Sequence, residues 1–496
     1  MNADRALRRR VGTAVATAVA LALGLGTPAS GAATTDPAGA APTAAATDPA
    51  GAAPTATHPA GAVSAATDPA GAAPTAATHP AGVVSAAADP AGAVSAWAAR
   101  HADPLASTDP GAPLRDLAPL RRSIGDARVV ALGEAPHGAA EETTLKHRTL
   151  RLLVERLGVR TVAWEEDWTT GVEIDAYIHG GPQDLAQLTA RMSPQYQTRE
   201  VAGVLAWLRR FNAGRRDQVS FFGVEYYFTR RLAYDTVERY VAATAPRRLG
   251  ELRRHLTPLR PPPGDDPFEH IDDYTRVEDK QPYLDDAHAV RDLVARLPHR
   301  RGELAHEMAL HAATQIVSWH EHYALTEAAN TIYREARAAD SLRWWQQLTG
   351  DRTAYWAASA HTANAPDLRI VRPGGTDLRF ASAGSYLRRW YGDGYRSIGF
   401  SVDHGTVATG PGQTVDLAPP APGWFEAPLG AVPYAAFTLD LRARPVPGPV
   451  RHWLHDPVVT RGLPDAGPAS VIDGGTLAEW FDVLVHTRTV HPATFA

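Results

Sequence analysis

The stretch Val129-Val130-Ala131-Leu132-Gly133-Glu134-Ala135-Pro136-His137-Gly138 decides the fold predicted for this chain. Four apolar residues lead into a turn bounded by two glycines, and an apolar-periodic run follows at 145–157. This order predicts a strand, a turn and a helix. Because ligands of open α/β sheets collect at the carboxyl ends of the strands, Glu134 and His137 are expected at the edge where sites form.

The turn places a carboxylate three residues before an imidazole. That arrangement suits a glutamate that orients or polarises a histidine base, with the glycines allowing tight backbone geometry. The same residues also fit a loop that carries a solvated Glu134 and a surface His137, since three-residue motifs recur by chance.

Strands and helices alternate beyond this turn. The pattern predicts strands at 159–164, 219–225, 354–358, 397–402, 436–441 and 483–487, and helices at 145–157, 172–178 and 201–211. Helical periodicity dominates from about 230 to 348, around a proline-rich loop at 258–267. This rhythm predicts an α/β fold with a mixed, mostly parallel central sheet flanked by helices and a large helical insertion or lid.

Three acids, Glu165, Glu166 and Asp167, end the predicted strand at 159–164. Glu165 directly follows the apolar residues, so it is the expected site carboxylate. At least one of the other two is expected to be solvated or to lie at a helix N-terminus, where a negative charge is favourable.

The first 95 residues have the composition of export and linker segments. Arginines at 5 and 8–10 precede an apolar run at 11–25 and small residues at 27–33, which predicts a secretory signal peptide over 1–32 and a secreted protein without stable membrane insertion after cleavage. Residues 33–95 repeat variations on Thr-Asp-Pro-Ala-Gly-Ala-Ala-Pro-Thr and are predicted to be a disordered Ala/Pro/Gly-rich linker. The catalytic domain is expected over 96–496.

Composition and motifs exclude several classes of function. A net charge of -5, with only Lys146 and Lys280 as lysines among 49 basic residues, gives no electrostatic case for nucleic acid. The absence of cysteine removes thiolate metal sites, Fe–S clusters and a Cys nucleophile. His306 and His311 are five residues apart, about 140° around a helix, so no zinc site is predicted there. No phosphate loop or dinucleotide fingerprint is present, so no cofactor is expected. Ser385 lacks a Gly-x-Ser-x-Gly elbow, which argues against a serine-esterase triad.

An ordered set of short motifs spans the folded part of the chain. It comprises 133–138 (Gly-Glu-Ala-Pro-His-Gly), Trp164-Glu165 with Trp168, Asp175-Ala176-Tyr177-Ile178, Thr198-Arg199-Glu200, Trp207-Leu208-Arg209 with Asn212, Trp356 to His361, and Gly384-Ser385-Tyr386-Leu387. From about Asp116 to Pro492 this set resembles the erythromycin esterase family. The resemblance implies a metal-independent hydrolase that opens a macrolide lactone with water, as in macrolide antibiotic resistance, on a mixed α/β core beside a broad cleft.

The same resemblance implies the site residues. It makes His137 the general base that activates water and maps the family's two glutamates onto Glu134 and Glu165. This chain departs from the family pattern in two places. Lys146 replaces an arginine, which keeps the charge but loses bidentate geometry. In 356–361 the first histidine and the asparagine of a Trp-x-His-Asn-x-His motif are both absent, with Ala358 in the place of that histidine. His361, the second histidine, is retained.

Ester hydrolysis by water needs a base, a carboxylate to hold it, and a cation or donors for the oxyanion. We therefore expect His137, Glu134 and Glu165 to be catalytic, and Lys146 and His361 to bind substrate or the oxyanion. Lys146 fits a solvated helix lysine equally well, and His361 also fits a structural histidine. The predicted partner is a small ester or lactone. A natural-product acyl-transfer or cyclisation enzyme, and a non-catalytic ligand-binding protein, are the alternatives.

Overall fold

Strand β2, Val129–Leu132, lies near the middle of a large twisted sheet, and all four of its side chains are buried. The computed structural model describes residues 89–442 and 445–495, so the predicted signal peptide and residues 33–88 of the predicted linker lie outside the described residues. The strands of the large sheet are β1 (Asp103–Pro104), β2, β3 (Val159–Asp167), β4 (Ser220–Glu225), β5 (Arg352–Trp356), β8 (Tyr395–Gly410), β9 (Gln413–Leu417), β10 (Ala436–Asp440) and β13 (Val483–Val490).

The described strands of this sheet run in the order β1-β10-β13-β8-β2-β5-β3-β4, with β9 paired to β8. The pairs from β13 to β4 are parallel, whereas β1, β10 and β9 pair antiparallel. In register, Leu132 of β2 lies beside Trp356 of β5, which lies beside Trp164 of β3. The predicted mixed, mostly parallel sheet is therefore confirmed, and its central strands end at one level.

A second, antiparallel sheet was not predicted. It has the order β11-β12-β6-β7, with β6 at Leu368–Ile370, β7 at Leu378–Phe380, β11 at Pro457–Arg461 and β12 at Val471–Thr476. Its strands are three to six residues long and come from two distant parts of the chain, so no local periodicity marks them.

Helices cover the central sheet and form the predicted insertion. They are α1 (Pro90–His101), α2 (Ala118–Ile124), α3 (Ala140–Arg156), α4 (Trp168–Ile178), α5 (Leu185–Ala190), α6 (Arg199–Asn212), α7 (Arg231–Thr244), α8 (Leu249–Leu256), α9 (Pro267–Thr275), α10 (Gln281–Ala295), α11 (Leu304–Ala324), α12 (Glu327–Thr349), α13 (Ser359–Thr362), α14 (Ala383–Tyr391), α15 (Gly448–His455) and α16 (Leu477–Trp480). Helices α7 to α12 occupy the stretch predicted to be helical. No described helix combines the length and apolar composition needed to cross a membrane.

The predicted boundary between linker and folded domain is wrong by several residues. Helix α1 begins at Pro90 and buries Val94, Trp97 and Ala98 on one face. Proline is favourable in the first turn of a helix, where its missing N–H has no intrahelical partner. The repeat-like Pro-Ala-Gly at 90–92 thus starts an ordered helix, although the same letters occur in the segment before it.

The glycine that closes the β2 turn is required by geometry. Gly138 has φ of +82°, and a Cβ on it would lie 1.8 Å from the carbonyl oxygen of Ala408. We expect Gly138→Ala to lower the free energy of unfolding by more than about 1 kcal/mol. Gly203→Ala, at an uncrowded position in α6, should instead raise it by about 0.5–1 kcal/mol. Urea unfolding measures both, and shifts of the same sign would contradict this assignment.

Several histidines of the helical insertion are buried and have a lowered pKa, among them His270, His311, His320 and His322. Burial lowers the pKa of His311 to about 3, and its ring stacks on Trp344 with a centroid distance of 4.0 Å. The unfolded chain, with a histidine pKa near 6.5, binds more protons than the folded chain between these values. Because protons bind to His311 mainly in the unfolded chain, the free energy of unfolding decreases as the pH falls from about 6.5 towards 3.

Replacing His311 by phenylalanine keeps a stacking ring and removes the proton-binding group. The free energy of unfolding of the variant, minus that of the parent protein, should increase by about 1–2 kcal/mol when the pH is lowered from 7.5 to 5. This size follows because each pKa unit corresponds to about 1.4 kcal/mol. Urea unfolding at the two pH values gives this difference. A stability difference that does not change with pH would show that His311 is not a neutral buried group.

Candidate active site

Side chains from the carboxyl ends of four neighbouring strands converge in one place. Glu134 and His137 follow β2, Ala358 follows β5, Glu165 lies near the end of β3, and Glu225 ends β4. Because these strands are parallel neighbours in the order β2-β5-β3-β4, their last residues meet at the same edge of the sheet. The structure brings Glu134 and His137 into contact and connects Glu165 to them through Tyr196, while the catalytic roles of these residues stay predictions.

Glu134 connects the turn to helix α3. Its Oε1 accepts a hydrogen bond from Nδ1 of His137 at 3.1 Å, and its Oε2 accepts one from Nζ of Lys146 at 2.7 Å. Glu134 is buried, which opposes ionisation, yet Lys146 and His137 together hold the pKa of its carboxyl below the usual value. The His137 side chain is 25% exposed. A hydrogen on Nδ1 leaves Nε2 of His137 as the ring's free acceptor.

Lys146 is neither solvated nor in contact with the cleft. Its side chain has no exposed surface, its ammonium also bonds to the carbonyl oxygen of Ala357 at 3.3 Å, and it lies 4.4 Å from the ring centroid of Trp356. The predicted contact of Lys146 with substrate or oxyanion therefore does not match the geometry. Lys146 instead holds Glu134 as a buried carboxylate.

Tyr196 joins this group to Glu165. Its ring meets the His137 ring edge-on at 5.6 Å, and its hydroxyl donates to Oε2 of Glu165 at 2.9 Å. The same carboxylate oxygen accepts the backbone N–H of Ala358 at 2.9 Å. The other oxygen of Glu165 accepts from Nη2 of Arg334 at 2.9 Å. Both carboxylate oxygens of Glu165 are therefore hydrogen-bonded, and neither is bonded directly to His137.

A register shift in β3 separates the three acids at its end. Glu166 turns away and accepts hydrogen bonds from the backbone and hydroxyl of Ser193, both at 2.9 Å, while burial raises its pKa to about 8. Asp167 caps helix α4 by accepting from the N–H of Thr169 at 2.7 Å. Of the three acids, Glu165 is the one connected to the β2 turn through Tyr196, and its catalytic role stays a prediction. Asp167 is a helix cap, as expected for one of the two neighbouring acids, whereas Glu166 is buried rather than solvated.

Helix α12 supplies two charged residues that sequence reasoning missed. Arg334 forms ion pairs with Glu165 and Glu225, each at 2.9 Å, and all three are buried. Glu335, the next residue, bonds Nδ1 of His361 at 2.7 Å. Within the described chain, these groups form one buried cluster of three carboxylates, one guanidinium and one imidazole behind the turn.

His361 belongs to this cluster and not to the cleft. Burial disfavours its charged form, but the Glu335 carboxylate, with help from Glu165, raises the pKa of His361 to about 10. Nε2 of His361 lies 3.2 Å from Glu165 and 3.1 Å from Arg334. Because an imidazolium has a hydrogen on each ring nitrogen, Nε2 donates to Glu165 and does not accept from Arg334. The predicted contact of His361 with substrate is therefore not supported, and its structural interpretation fits.

A cavity of about 60 Å³ opens beside His137. One end of its wall is polar, with Glu134, His137 and Ser359. The Ser359 hydroxyl is buried and has no hydrogen-bond partner within the described residues. Gly133 is needed behind it, since a Cβ there would lie 2.5 Å from the Ser359 hydroxyl. Ala358 lines the same wall, so the residue that departs from the family pattern borders the space in front of the base.

Some of the missed residues had a sequence signal and others had none. Glu225 ends an apolar strand in the same way as Glu165, so the rule that selected Glu165 would have found it. Tyr196 lies in a short 3-10 turn, and Arg334 and Glu335 lie in the helical insertion, where nothing local distinguishes them from surface charges. In the described residues no group of three or more His, Asp or Glu side chains is arranged to hold a metal ion.

The fold and this site define an α/β protein in which a carboxylate-bound imidazole faces a small cavity at the carboxyl edge of a parallel sheet. The family model of erythromycin esterase matches residues 154–490. The chain belongs to the erythromycin esterase family.

Individual relatives agree over shorter stretches or at the level of the fold. The chain is 36% identical over 110 residues to the erythromycin esterase type II of Escherichia coli, a match that covers 22% of this chain and spans 26% of that relative. A Bacillus cereus protein of known crystal structure superposes with a TM-score of 0.71 at 24% identity, covering 82% of this chain and 99% of that one. A mutant of the erythromycin esterase EreC in its open conformation gives a TM-score of 0.60 at 15% identity, covering 78% and 97%. These two structures support the fold alone.

Proposed function

We propose that the protein is a hydrolase that opens an ester or a macrolide-type lactone by general-base activation of water, with His137 as the base. The observation that carries this proposal is the His137 ring, bonded through Nδ1 to a buried carboxylate and bordering a cavity. An imidazole whose Nδ1 hydrogen is bonded to a carboxylate presents Nε2 as a hydrogen-bond acceptor, which a general base needs.

In the proposed reaction, Nε2 of His137 first accepts a proton and later returns it. Nε2 of His137 takes a proton from water as the water oxygen bonds to the acyl carbon, and the carbonyl oxygen becomes an oxyanion. The bond from the acyl carbon to the alcohol oxygen then breaks, and His137 returns the proton to that oxygen. The products are an acid and an alcohol, or a hydroxy acid from a lactone, with the net addition of one water.

Glu134 and Ser359 are proposed to stabilise the two charges that develop during the reaction, which are the His137 imidazolium and the oxyanion of the substrate. Glu134, kept ionised by Lys146, fixes the ring through its Nδ1 hydrogen bond and stabilises the imidazolium. The Ser359 hydroxyl, buried at the cavity wall without a partner in the described chain, is the proposed donor to the oxyanion. Glu165 acts at a distance by fixing Tyr196 and the backbone of Ala358.

Macrolide substrates and export are further parts of the proposal. A macrolide substrate rests on the family, and secretion rests on the arginine-led apolar run at 11–25. Secretion would place a resistance enzyme outside the cell, where it meets its substrate first.

The function is tested with the purified chain, a panel of lactones that includes erythromycin, and a set of simple esters. Ring opening adds the mass of one water and supports hydrolysis. Isomerisation without mass change would instead indicate a cyclisation enzyme, and unchanged ligand with measurable binding would indicate a binding protein. Either of these two results overturns the proposal.

A further inference from the structure

We infer that Arg461 binds a carboxylate of the substrate, so that the chain acts on esters or lactones which carry a negative charge. This inference rests on the proposed hydrolase function and names its substrate class. It is carried by the position of Arg461 in the wall of the cavity beside His137, by the free N–H donors of its guanidinium, and by the balance of charge in that wall.

Arg461 ends strand β11 and lines the same cavity as His137. The backbone carbonyl oxygens of Asp403 and Ala418 accept hydrogen bonds from its Nη2 at 3.0 and 2.8 Å. Its guanidinium carbon lies 5.5 Å from the ring centroid of Trp424. These contacts hold the guanidinium in the cavity wall. They leave Nη1 and Nε without a hydrogen-bond partner among the described residues, so N–H donors remain for a ligand.

The charge of Arg461 is not balanced by an ion pair within the described part of the chain. Asp403 contacts it through a neutral backbone oxygen. Glu426 is buried and accepts from the hydroxyl of Thr460, and burial raises its pKa to about 7, so its negative charge is incomplete at neutral pH. Burial lowers the pKa of Arg461, and the attraction of Glu426 and Asp403 offsets this only in part. A bound anion would supply the missing counter-charge.

The remaining wall of the cavity supplies no compensating negative charge. Glu134 is the one carboxylate among the described lining residues, and it is already bonded to Lys146 and His137. Arg461 is the one arginine or lysine in the same lining. The wall therefore has an unbalanced positive charge, which favours an anionic ligand over a neutral ligand of similar shape. A substrate carboxylate would also accept from the free donors of Arg461 in charge-assisted hydrogen bonds.

The test compares kcat/KM of the full chain on pairs of esters that differ in charge and little in shape. For a charge on the acyl side, the mono-4-nitrophenyl esters of adipic and suberic acids are paired with 4-nitrophenyl hexanoate and octanoate. For a charge on the alcohol side, 4-acetoxybenzoic acid is paired with 4-acetoxybenzamide. We expect the charged member of at least one pair to be preferred by about tenfold or more, the size of a hydrogen bond to a charged group.

Variants assign this preference to Arg461. Arg461→Met and Arg461→Gln both remove the cation and should lower the charged-to-neutral ratio of kcat/KM about tenfold or more, whereas Arg461→Lys should keep part of it. The ratio compares two substrates on one protein, so a loss of folded protein cancels. Arg352→Met is the matched control. Arg352 is also partly buried and donates to backbone carbonyl oxygens, those of Gly125, Ala127 and Leu157, but it lies outside the cavity wall. Its variant should keep the parent ratio.

The outcomes separate the two proposals. Hydrolysis that persists in His137→Ala for every ester, or no hydrolysis by the parent protein, refutes the proposed function and with it this inference. His137-dependent hydrolysis without a preference for the charged member of any pair refutes the inference alone. The parent ratio in Arg461→Met and Arg461→Gln also refutes it, since Arg461 would then only hold the backbone at Asp403 and Ala418.

Discussion

Replacing His137 by alanine should lower kcat for ester hydrolysis by about 10²–10⁴-fold, the usual contribution of a general base. The loss should appear in kcat rather than KM, since the base acts on the attacking water. Steady-state kinetics with the best ester of the panel measures the effect.

The control for this variant is His404→Ala. His404 is 40% exposed and bonds Asp403 at 2.7 Å, and it does not border the cavity. Its variant should keep the parent rate, and circular dichroism should show both variants folded. A folded His137→Ala protein with the parent kcat would remove this residue from the mechanism.

Replacing Arg334 by methionine should lower the free energy of unfolding by about 3–5 kcal/mol, the cost of breaking a buried ion pair. Methionine keeps much of the side-chain volume, but Glu165 and Glu225 then lose the cation between them. Both carboxylates are buried, so water cannot replace the lost charge. Urea unfolding at neutral pH gives the difference from the parent protein.

Arg337→Met, one turn further along α12, is the matched control. The Arg337 side chain is 36% exposed and pairs with Asp340 at 2.5 Å near the surface, where ion pairs contribute little. A change within about 1 kcal/mol is expected there. Equal effects of the two substitutions would mean that the buried cluster does not stabilise the fold as described.

The β2 turn shows why part of this site could be predicted from the sequence. Its four apolar residues, two glycines, one carboxylate and one imidazole are contiguous, and the rule that parallel strands present their carboxyl ends together was enough to bring Glu165 to the same edge. Lys146 shows the limit of that reasoning. Its spacing placed it on α3, but whether its face meets the cleft or the core depends on how α3 packs, and it packs with Lys146 inward.

The remaining parts depend on contacts between distant segments. Arg334 and Glu335 reach Glu165 and His361 only because α12 lies across the strand ends, and the sequence of α12 alternates charged and apolar residues as an exposed helix would. The apolar cavity wall uses β6 and β12, about a hundred residues apart along the chain. Such pairings leave no local periodicity, so the second sheet and the size of the cavity could not be predicted.

General-base catalysis by His137 requires one tautomer of its ring, with the proton on Nδ1. Nitrogen NMR of the histidine-labelled protein, with the His137 signals assigned by their loss in His137→Ala, measures it directly. We expect the neutral form of the ring to carry its proton on Nδ1, with an unprotonated Nε2 that faces the cavity. A proton on Nε2 instead would leave no base in front of the substrate and would contradict the proposed mechanism.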